Sequence, residues 1–506
     1  MKNSILTYLE NSVARFPDKI AVIDEHGQLS FGELLDLSKR IGSGLSDKCN
    51  IAKPIAVFME KSSKALGAFL GIVQAGDFYV LINPDLPAHR IEQIQNVLQA
   101  DYWITDCEHI ERAKEFVAKE HILDVDILAK TEVQEMALRK IRDRFVDVNP
   151  LYANFTSGST GVPKGVLVSH RSVLDFIEVF ANQFEINETD VIANQAPFDF
   201  DVSVKDIYSA LSKGATLVIV PKRLFSAPTE LLDFLCEHDV TTMIWAVSAI
   251  CLISTFHGLE YKTPQTVKRV LFSGEEMPLK HLKNWREHLP DAMFVNLYGP
   301  TEITCNCTYH ILDKDRDYAD GIPIGQAFAN EDVFLLDDKN QLITEKDVVG
   351  EVCVRGTALA LGYYRNPEQT AKVFCQNPLN ECYPERIYRT GDLATYTQEN
   401  DLMFCGRKDF QIKYMGHRIE IEEIERAVSS VDGVERAIVV FDNVRHKLYG
   451  FYTGTKDKKE LHAGLKEFLP IYMIPGILVP VEVFPMTKNG KIDRKALLES
   501  KSRTKK

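Results

Sequence analysis

Short β-branched runs alternate with amphipathic helical runs through the first four-fifths of the chain, and this alternation restricts the fold more than any other feature. The run PIAVFME is followed by KSSKALGAFLGIVQAG and then by DFYVLINP; later runs of the first kind are ATLVIVP, TTMIWAV, VKRVLFSG and AMFVNLYG. Strands joined by helices of this length form right-handed crossovers, and therefore parallel sheets covered by helices on both faces. The pattern predicts an α/β fold.

The last hundred residues have a different texture. After GRKDFQIKYMGHR, the segment IEIEEIERAVSSV places Ile421, Ile424 and Val428 on one face of a helix that begins with acidic residues. ERAIVVFDN and KLYGFYTG are typical of strands, and KELHAGLKEFLP is typical of a helix. We therefore predict a large domain over 1–408 and a compact α+β domain over 409–506, with the boundary at Lys408–Asp409.

Composition argues against several classes of protein. A net charge of -13 and a pI near 5.6 argue against nucleic-acid binding. Because no run of about 18 apolar residues occurs, we expect no membrane span, and the first 20 residues lack the apolar core of a signal peptide. Cys305 and Cys307 form the only close cysteine pair, and their spacing matches no common zinc pattern. A cytoplasmic monomer with reduced thiols is expected.

Hydroxyl residues and glycines are concentrated in NFTSGSTGVPKG, residues 154–165. Consecutive N–H groups in a glycine-rich turn form a concave site for anions, and serine, threonine and lysine add donors and positive charge. The spacing G-x-x-x-x-G-K-[ST] of the common P-loop is not met, because the fifth residue after Gly158 is Pro163. By itself, the segment fits a phosphate-binding loop and a flexible surface loop equally well.

This loop resembles the phosphate loop of the AMP-forming adenylation (ANL) superfamily, which includes acyl-CoA ligases and the adenylation domains of nonribosomal peptide synthesis. Five further segments occur in the family's order: FDFDVSVKDIYSAL at 198–211, NLYGPTEIT at 296–304, YRTGDLA at 388–394, GRKDFQIKYMGHRIEIEEIE at 406–425 and PMTKNGKIDRKAL at 485–497. The likeness spans nearly the whole chain. It implies the ANL fold: an N-terminal core of parallel-rich sheets covered by helices, which binds ATP and substrate, and a small mobile C-terminal lid.

The resemblance implies a site for ATP and Mg²⁺. In it, Tyr298 stacks on adenine, Asp392 accepts the ribose hydroxyls, Thr301 donates to the α-phosphate, Glu302 binds Mg²⁺, and Lys164 clamps the outer phosphates. The predicted nucleotide-binding residues are Thr156, Ser157, Gly158, Ser159, Thr160, Gly161, Lys164, Asn296, Tyr298, Gly299, Thr301, Asp392 and Arg407.

Two residues of the C-terminal domain are implied to act in catalysis. Lys491, in TKNGKIDR, would bridge the substrate carboxylate and the α-phosphate, because a mobile cation lowers the repulsion between the two anions. Asp409 would be the hinge about which the small domain rotates between the two half-reactions. Gly416 would then line the path by which a thiol enters.

Asp201 bears most directly on the substrate. An aspartate at this place could simply cap the helix that follows. In amino-acid-activating members of the superfamily, however, the aspartate of this F-D-x-S pattern pairs with the substrate's α-ammonium group, and an unpaired carboxylate facing an apolar tail would be unfavourable. The predicted substrate-binding residues are Phe200, Asp201, Trp245, Leu271, Ser273, Gly274, Leu297, Cys305 and Lys491.

The predicted activity is adenylation of an amino acid, followed by transfer to the phosphopantetheine thiol of a carrier protein. The run NQAPFDFDVSVKDIY is similar to D-alanine–carrier-protein ligases, but Ser273 stands where those enzymes usually have cysteine, and WAVSAI lacks their usual proline. D-alanine, another amino acid and an amino-bearing aryl acid therefore stay open as substrates. Two alternatives are an acyl- or aryl-CoA ligase, which Asp201 disfavours, and a non-catalytic adenylate-binding regulator, which the retention of Lys491, Asp392 and Glu302 disfavours.

Overall fold

The computed structural model of the chain describes residues 3–48, 51–158, 161–443, 445–486 and 492–503. It divides into two compact units. The larger unit consists of Met1–Pro84, Leu98–Asn154 and Gly165–Lys408. The smaller unit consists of Asp85–Val97, Phe155–Lys164 and Asp409–Lys506, so it includes two segments from the earlier part of the chain. The assignment of 1–408 as a catalytic core and of 409–506 as a mobile lid stays a prediction.

A nine-stranded sheet forms much of the larger unit. Six neighbouring strands in it are parallel, and antiparallel strands lie at both edges, as expected for strands joined by helical crossovers. From one edge to the other the strands are Gln326–Ala327, Thr308–Ile311, Met293–Tyr298, Arg269–Ser273, Thr242–Ala246, Val191–Asn194, Thr216–Ile219, Ile20–Asp24 and Gly27–Ser30.

A seven-stranded sheet contains the first of the predicted strand–helix–strand repeats. Its strands, in spatial order, are Gly362–Tyr363, Lys164–Ser169, Pro150–Thr156, Phe78–Leu81, Pro54–Phe58, Tyr102–Thr105 and Ile122–Asp124. The last five pair in parallel. The prediction of helix-covered parallel sheets is confirmed for these two sheets.

A third sheet of six strands is antiparallel throughout, which the alternation of helices and strands did not predict. Short turns, rather than crossover helices, separate most of its strands. They are Leu342–Ile343, Glu331–Leu336, Gly350–Gly356, Arg386–Tyr396 and Phe374–Gln376, with Leu402–Arg407 also paired to Arg386–Tyr396. This last pairing places Asp392 directly opposite Arg407.

Helices cover the parallel sheets, and the two largest of its buried apolar clusters form most of the core of the larger unit. The α-helices of this unit are Leu6–Arg15, Phe31–Leu45, Ser63–Gln74, Ile110–Ala113, Val125–Leu128, Glu135–Arg142, His170–Gln183, Val202–Lys213, Pro228–Glu237, Val247–Thr255, Gly258–Tyr261, Leu279–His288 and Pro367–Val373. Short 3₁₀ helices are Lys119–His121, Lys222–Ser226 and Thr301–Ile303. Within the described ranges, no helix is both long enough and apolar enough to cross a bilayer.

The smaller unit has its own apolar core. Its strands are Gln411–Tyr414, His417–Glu420, Val434–Asp442, Lys447–Gly454 and Ile477–Pro480, and its helices are Ile421–Ser429, Lys458–Leu465, Arg494–Arg503, the 3₁₀ turn Ile471–Met473 and nearly all of Ala88–Leu98. The predicted C-terminal elements are confirmed, because Ile421, Ile424 and Val428 lie buried on one helix face.

Candidate functional site

Two adjacent parallel strands carry several of the predicted substrate-binding residues near their carboxyl ends. Strands Arg269–Ser273 and Met293–Tyr298 run side by side, with Ser273 opposite Leu297. Leu271 and Leu297 belong to one buried cluster, and Gly274 follows the first strand with a φ of 97°. Ligands commonly bind where parallel strands end in this way, so the location suits a substrate pocket.

Trp245 lies apart from these residues. It is fully buried in the other apolar cluster of the larger unit, where it packs against Phe225, and its indole N–H donates to the Ala193 carbonyl at 2.8 Å. Alternate residues of a strand face opposite sides of the sheet. The structure therefore does not bring Trp245 together with Leu271 and Leu297.

A tightly held loop follows strand Met293–Tyr298. A Cβ added to Gly299 would lie 2.5 Å from the Cα of Asn306, so a larger residue would displace backbone at this crossing. Thr304 and Cys305 both have left-handed backbone conformations, with φ of 53° and 78°. Conformations of this kind are uncommon for non-glycine residues and cluster at functional sites. The Thr304 hydroxyl donates to the Ala358 carbonyl at 2.7 Å and thus helps to hold the loop.

Tyr298, Asp392 and Arg407 form a buried cluster, which we call the ribose cluster after its predicted role. Asp392 is 1% exposed and accepts hydrogen bonds from the Tyr298 hydroxyl and the Arg407 guanidinium. Burial and the Asp392 charge raise the pKa of Tyr298 well above its usual value, so the phenol stays protonated and donates. Two motifs that are 94 residues apart in sequence therefore meet through a hydrogen bond, and the Asp392 charge on which it ends is balanced by Arg407.

Asn296 and Thr301 flank this cluster in the chain. Asn296 is buried, and its side-chain amide donates to the Pro323 carbonyl at 2.8 Å. Thr301 opens the one-turn helix Thr301–Ile303 and is partly accessible. Both are close to Tyr298 in sequence, and their predicted roles in nucleotide binding stay predictions.

Glu302 is completely buried, and its carboxylate Oε1 accepts a hydrogen bond from the Tyr363 hydroxyl at 2.7 Å. A carboxylate is the hard oxygen ligand that Mg²⁺ prefers. Among the described residues, no group of three or more histidines, cysteines and acids could hold a metal ion by itself. The Glu302 carboxylate fits a Mg²⁺ ion, which is usually held by one or two carboxylates together with water and substrate phosphates.

Asp201 directly precedes helix Val202–Lys213 but does not cap it. Its backbone is already helical, with φ of -62° and ψ of -25°, and its side chain accepts from none of the N–H groups of this fully described helix. The Cys305 thiol donates to the Asp201 carbonyl at 3.0 Å, and burial raises the pKa of Cys305 well above its usual value. The Phe200 carbonyl accepts a hydrogen bond from the Ser203 hydroxyl at 2.6 Å. The structure thus brings together Phe200, Asp201 and Cys305.

Lys205 and Asn306 lie next to this group of residues, and the sequence analysis identified neither of them. Lys205 is 0% exposed, and its Nζ donates to Asn306 Oδ1 at 2.6 Å. Helical spacing could have revealed it, because Lys205 lies one turn after Asp201, and residues four apart share a helix face.

A second buried hydrogen-bond network is centred on Asp206, the residue that follows Lys205 in the helix. Asp206 accepts from Asn194 Nδ2 at 2.7 Å, and Lys61 Nζ donates to Asn194 Oδ1 at 3.2 Å and to the Gln195 carbonyl at 2.9 Å. Burial raises the pKa of Asp206 to about 7 and lowers that of Lys61 to about 7. This network fixes the segment around NQAP, and it too was missed.

The glycine-rich loop belongs to the smaller unit. A Cβ on Gly158 would lie 2.0 Å from the Val162 carbonyl oxygen, so only glycine fits there. The Ser157 hydroxyl donates to the Arg418 carbonyl at 2.7 Å, and Lys164 Nζ lies 4.0 Å from Glu420 Oε1. Gly161 has a φ of 82°, and Thr156 ends strand Pro150–Thr156. Ser159 and Thr160 lie outside the described residues.

Acidic residues of the smaller unit engage this loop, which the sequence did not predict. Glu423 accepts from Arg90 Nη1 at 2.6 Å, and the nearby backbone N–H of Gly158 favours its charged form. Burial nevertheless raises the pKa of Glu423. Carboxylates therefore approach both the Gly158 N–H and the Lys164 ammonium, two of the groups that were predicted to hold phosphate.

Only some of the predicted catalytic residues of the smaller unit lie within the described part of the chain. Asp409 Oδ1 accepts from the Gln411 N–H at 3.2 Å, and Gly416 has a left-handed φ of 78°. Lys491 lies outside the described residues. Its predicted role in catalysis and substrate binding, like the hinge role of Asp409, stays a prediction.

Comparison with known proteins places this geometry in context. Residues 9–364 match the family described as AMP-binding enzyme. The chain is 31% identical to zwittermicin A synthase ZmaJ of Bacillus cereus over 98% of its own length and 95% of that protein's length. It is also 31% identical to bacitracin synthase 1 of Bacillus licheniformis, over 98% of the chain but 9% of that synthase, so it spans less than a tenth of that relative.

A similar solved structure is that of holo-PA1221, a nonribosomal peptide synthetase protein containing adenylation and PCP domains bound to a vinylsulfonamide inhibitor. The two superimpose with a TM-score of 0.83 at 24% identity, over 98% of this chain and 84% of the other. At this level of identity the likeness concerns the fold, and it agrees with the predicted α/β architecture.

Proposed function

The chain belongs to the AMP-binding enzyme family, a family of adenylating ligases, and from this premise we propose that it activates an amino acid and transfers it to a carrier-protein thiol. In the first half-reaction, a carboxylate oxygen of the amino acid attacks the α-phosphorus of ATP, the bond to the β-phosphate breaks, and aminoacyl-AMP and pyrophosphate form. In the second, a phosphopantetheine thiolate attacks the acyl carbon, and AMP leaves as the carbon–oxygen bond breaks.

The position of Asp201 is the observation that carries the proposal for an amino acid. If this residue served only as a helix cap, its carboxylate would accept from N–H groups of helix Val202–Lys213, and it accepts from none of them. Its main chain is tied to Cys305, a predicted pocket residue. A carboxylate at this place suits an ammonium group, because charge-assisted hydrogen bonds are the strong ones in buried sites.

The ribose cluster and Glu302 support binding of ATP. Asp392 offers a fixed carboxylate acceptor for the ribose hydroxyls, with Arg407 holding its orientation. Glu302 would hold Mg²⁺, and this ion, when bound, would neutralise charge that develops on the phosphates. Tyr363 positions the Glu302 carboxylate by donating to one of its oxygens. Lys491 would lower the repulsion between the substrate carboxylate and the α-phosphate.

Transfer to a carrier protein is supported by the proteins that the chain resembles. Bacitracin synthase 1 and zwittermicin A synthase ZmaJ are among these proteins, and PA1221 is a nonribosomal peptide synthetase protein that contains adenylation and PCP domains. Rotation of residues 409–506 about Asp409 would admit the thiol after pyrophosphate leaves. Whether the carrier protein serves a nonribosomal peptide pathway or D-alanine transfer depends on the amino acid that is activated.

ATP–pyrophosphate exchange with a panel of acids tests the proposal. The panel contains D-alanine, L-alanine, the other amino acids, and aryl acids with and without an amino group. We expect exchange with an amino acid, and Asp201→Asn should raise the KM for that amino acid about 10-fold or more while the KM for ATP changes less than about twofold. Exchange only with acids that lack an amine would instead support the alternative, an acyl- or aryl-CoA ligase.

A further inference from the structure

Lys205 brings a positive charge into the interior of the larger unit, where the desolvation of an ammonium group is unfavourable. Its Nζ has one hydrogen-bond partner among the described residues, the neutral amide oxygen of Asn306. In the same described part of the chain it forms no ion pair with a carboxylate. An ammonium group has three N–H donors, so this cation retains donors for a further acceptor.

The neighbouring acids do not supply that acceptor. Asp206 is engaged by Asn194, which also binds Lys61, so its carboxylate belongs to the other buried network. Burial dominates and lowers the pKa of Lys205, although Cys305, Asp201 and Asp206 are all near enough to favour its charged form. The charge on Lys205 is therefore only partly compensated within the protein.

Lys205 is not needed to hold the loop that contains Asn306. The loop is fixed by the Thr304 hydroxyl on the Ala358 carbonyl, by the Cys307 N–H on the Tyr298 carbonyl at 2.9 Å, and by the Cys305 thiol on the Asp201 carbonyl. The close crossing of Gly299 and Asn306 adds a steric constraint. A purely structural role would be filled as well by an uncharged side chain, which would avoid the desolvation of an ammonium group.

The positions of Asp201 and Lys205 match the charges of one class of amino acid. The two residues are four apart at the start of one helix, where Cβ atoms of such residues lie roughly 5–6 Å apart on one face. Asp201 is the proposed partner of the substrate's α-ammonium group. A positive group one helical turn further on suits a negative group on the side chain of the same substrate.

We propose that Lys205, positioned by Asn306, binds a carboxylate on the substrate's side chain, so that the enzyme activates an acidic amino acid. This proposal rests on the proposed function, because it names the substrate class of the same pocket. Neither the Lys205 side chain nor the Asn306 side chain reaches the surface. The substrate must therefore displace a neighbouring side chain to contact Lys205. Aspartate and glutamate share the required chemistry and differ in the reach of the carboxylate.

The decisive measurement is ATP–pyrophosphate exchange by the unaltered full chain with both enantiomers of aspartate and glutamate, with asparagine and glutamine as uncharged amides of the same shape, and with alanine and leucine. We expect kcat/KM for one acidic amino acid to exceed that for its amide about 100-fold or more, because a site built around a buried polar group rejects analogues that leave it unpaired. Lys205→Met should reduce exchange with the acid by a similar factor and narrow the discrimination against the amide.

Lys213→Met is the matched control. Lys213 lies on the same helix and also donates to an asparagine side chain, Asn182 Oδ1 at 2.6 Å, but at the surface. The Lys213→Met variant should keep the wild-type preference for the acidic amino acid. Best exchange with an uncharged amino acid would overturn this proposal and leave the proposed function intact, whatever the folding of Lys205→Met. Exchange with no amino acid, but with aryl or fatty acids, would overturn the proposed function as well.

Discussion

The ribose cluster and the Lys205–Asn306 pair are both buried in the larger unit, but their charges are balanced differently. In the ribose cluster, the Asp392 carboxylate meets the Arg407 guanidinium and the Tyr298 hydroxyl, so a negative charge has a positive partner and a donor. Lys205, in contrast, meets a neutral amide. The first arrangement is complete within the protein, whereas the second leaves a charge for a ligand to balance.

This difference indicates what each place recognises. The ribose cluster presents one fixed carboxylate to hydroxyl groups, and hydroxyl groups need no counter-charge. An uncompensated buried ammonium instead favours an anion, because opposite charges interact strongly where water is excluded. Breaking the balanced arrangement should therefore destabilise the protein, and removing the unbalanced charge should mainly change its selectivity.

Asp392→Ala should have the largest effect, because it leaves the buried Arg407 charge without its partner. Loss of one partner of a buried ion pair costs about 3–5 kcal/mol of unfolding free energy. Exchange activity should also fall, with kcat/KM for ATP about 100-fold lower, since two hydrogen bonds to a charged group are lost. Urea unfolding and exchange kinetics measure the two effects.

The control for Asp392→Ala is Asp147→Ala. Asp147 pairs with Arg171 at 2.6 Å, but both side chains are partly exposed, at 27% and 53%. An exposed pair of this kind contributes about 1 kcal/mol or less. Equal losses for the two variants would contradict the idea that the ribose cluster is a balanced buried unit.

The ribose cluster and the Lys205–Asn306 pair differ in how well they could be predicted from the sequence. Asp392, Tyr298 and Arg407 lie in contiguous motifs, YRTGDLA, NLYGPTE and GRKD, so they could be named before their contacts were known. Lys205 and Asn306 lie 101 residues apart and become a pair only through tertiary folding. Trp245 shows the reverse case: the resemblance implied a pocket residue, and the structure places its ring in a different apolar cluster from Leu271 and Leu297.

The fold could be predicted more fully than the site. Helical periodicity and β-branched runs are local, so they predicted the parallel sheets and the C-terminal elements around Ile421–Ser429 correctly. The antiparallel sheet containing Arg386–Tyr396 was missed because short turns join most of its strands, whereas the prediction used the alternation of strands with helices. The approach of carboxylates to Gly158 and Lys164 was missed because it brings together residues that are far apart in sequence.

His170 shows a third way of burying a titratable group, because its imidazole ring is buried in the neutral form. Its Nδ1 accepts from the Ile5 N–H at 3.2 Å, and burial lowers its pKa to about 3. The unfolded chain, with a histidine pKa near 6.5, binds a proton that the folded chain does not between pH 6.5 and about 3. Acidification through this window therefore favours unfolding, by about 1.4 kcal/mol per pH unit.

His170→Asn, whose Oδ1 can still accept from Ile5, isolates this contribution. The difference in unfolding free energy between the wild type and this variant should fall by about 2 kcal/mol from pH 6.5 to pH 5. Other buried acids titrate too, but they are common to both proteins. The exposed His257→Asn variant serves as the control and should show no such convergence with the wild type. A constant difference for His170→Asn would mean that the ring is protonated in the folded chain.

Tyr298→Phe tests whether the phenol completes the balance around Asp392. It removes one hydrogen bond to a charged acceptor and keeps the ring, so we expect a loss of about 1.5–3 kcal/mol in unfolding free energy. The KM for ATP should rise only a few-fold, since Arg407 still holds Asp392. Tyr452→Phe removes a comparable bond to the neutral Lys456 carbonyl, and its loss should be smaller, about 0.5–1.5 kcal/mol.

Lys205→Met should have the smallest effect on stability, and it tests the comparison most sharply. Removal of the ammonium group relieves its desolvation, while the Asn306 amide oxygen loses its donor, a loss of about 1–3 kcal/mol. The two changes oppose each other, so the unfolding free energy should stay within about 1 kcal/mol of the wild type. Arg407→Met, which leaves the Asp392 charge buried alone, should cost about 3–5 kcal/mol.

The double variant Lys205→Met/Asn306→Leu separates the two opposing contributions. With both polar partners replaced by apolar side chains, neither the ammonium group nor the amide oxygen remains to be satisfied, and stability should rise above that of Lys205→Met alone. Urea unfolding of the four proteins in this cycle gives the coupling between Lys205 and Asn306. If Lys205→Met were as destabilising as Arg407→Met, the lysine charge would already be balanced within the folded chain, and the structural basis for an acidic substrate would be lost.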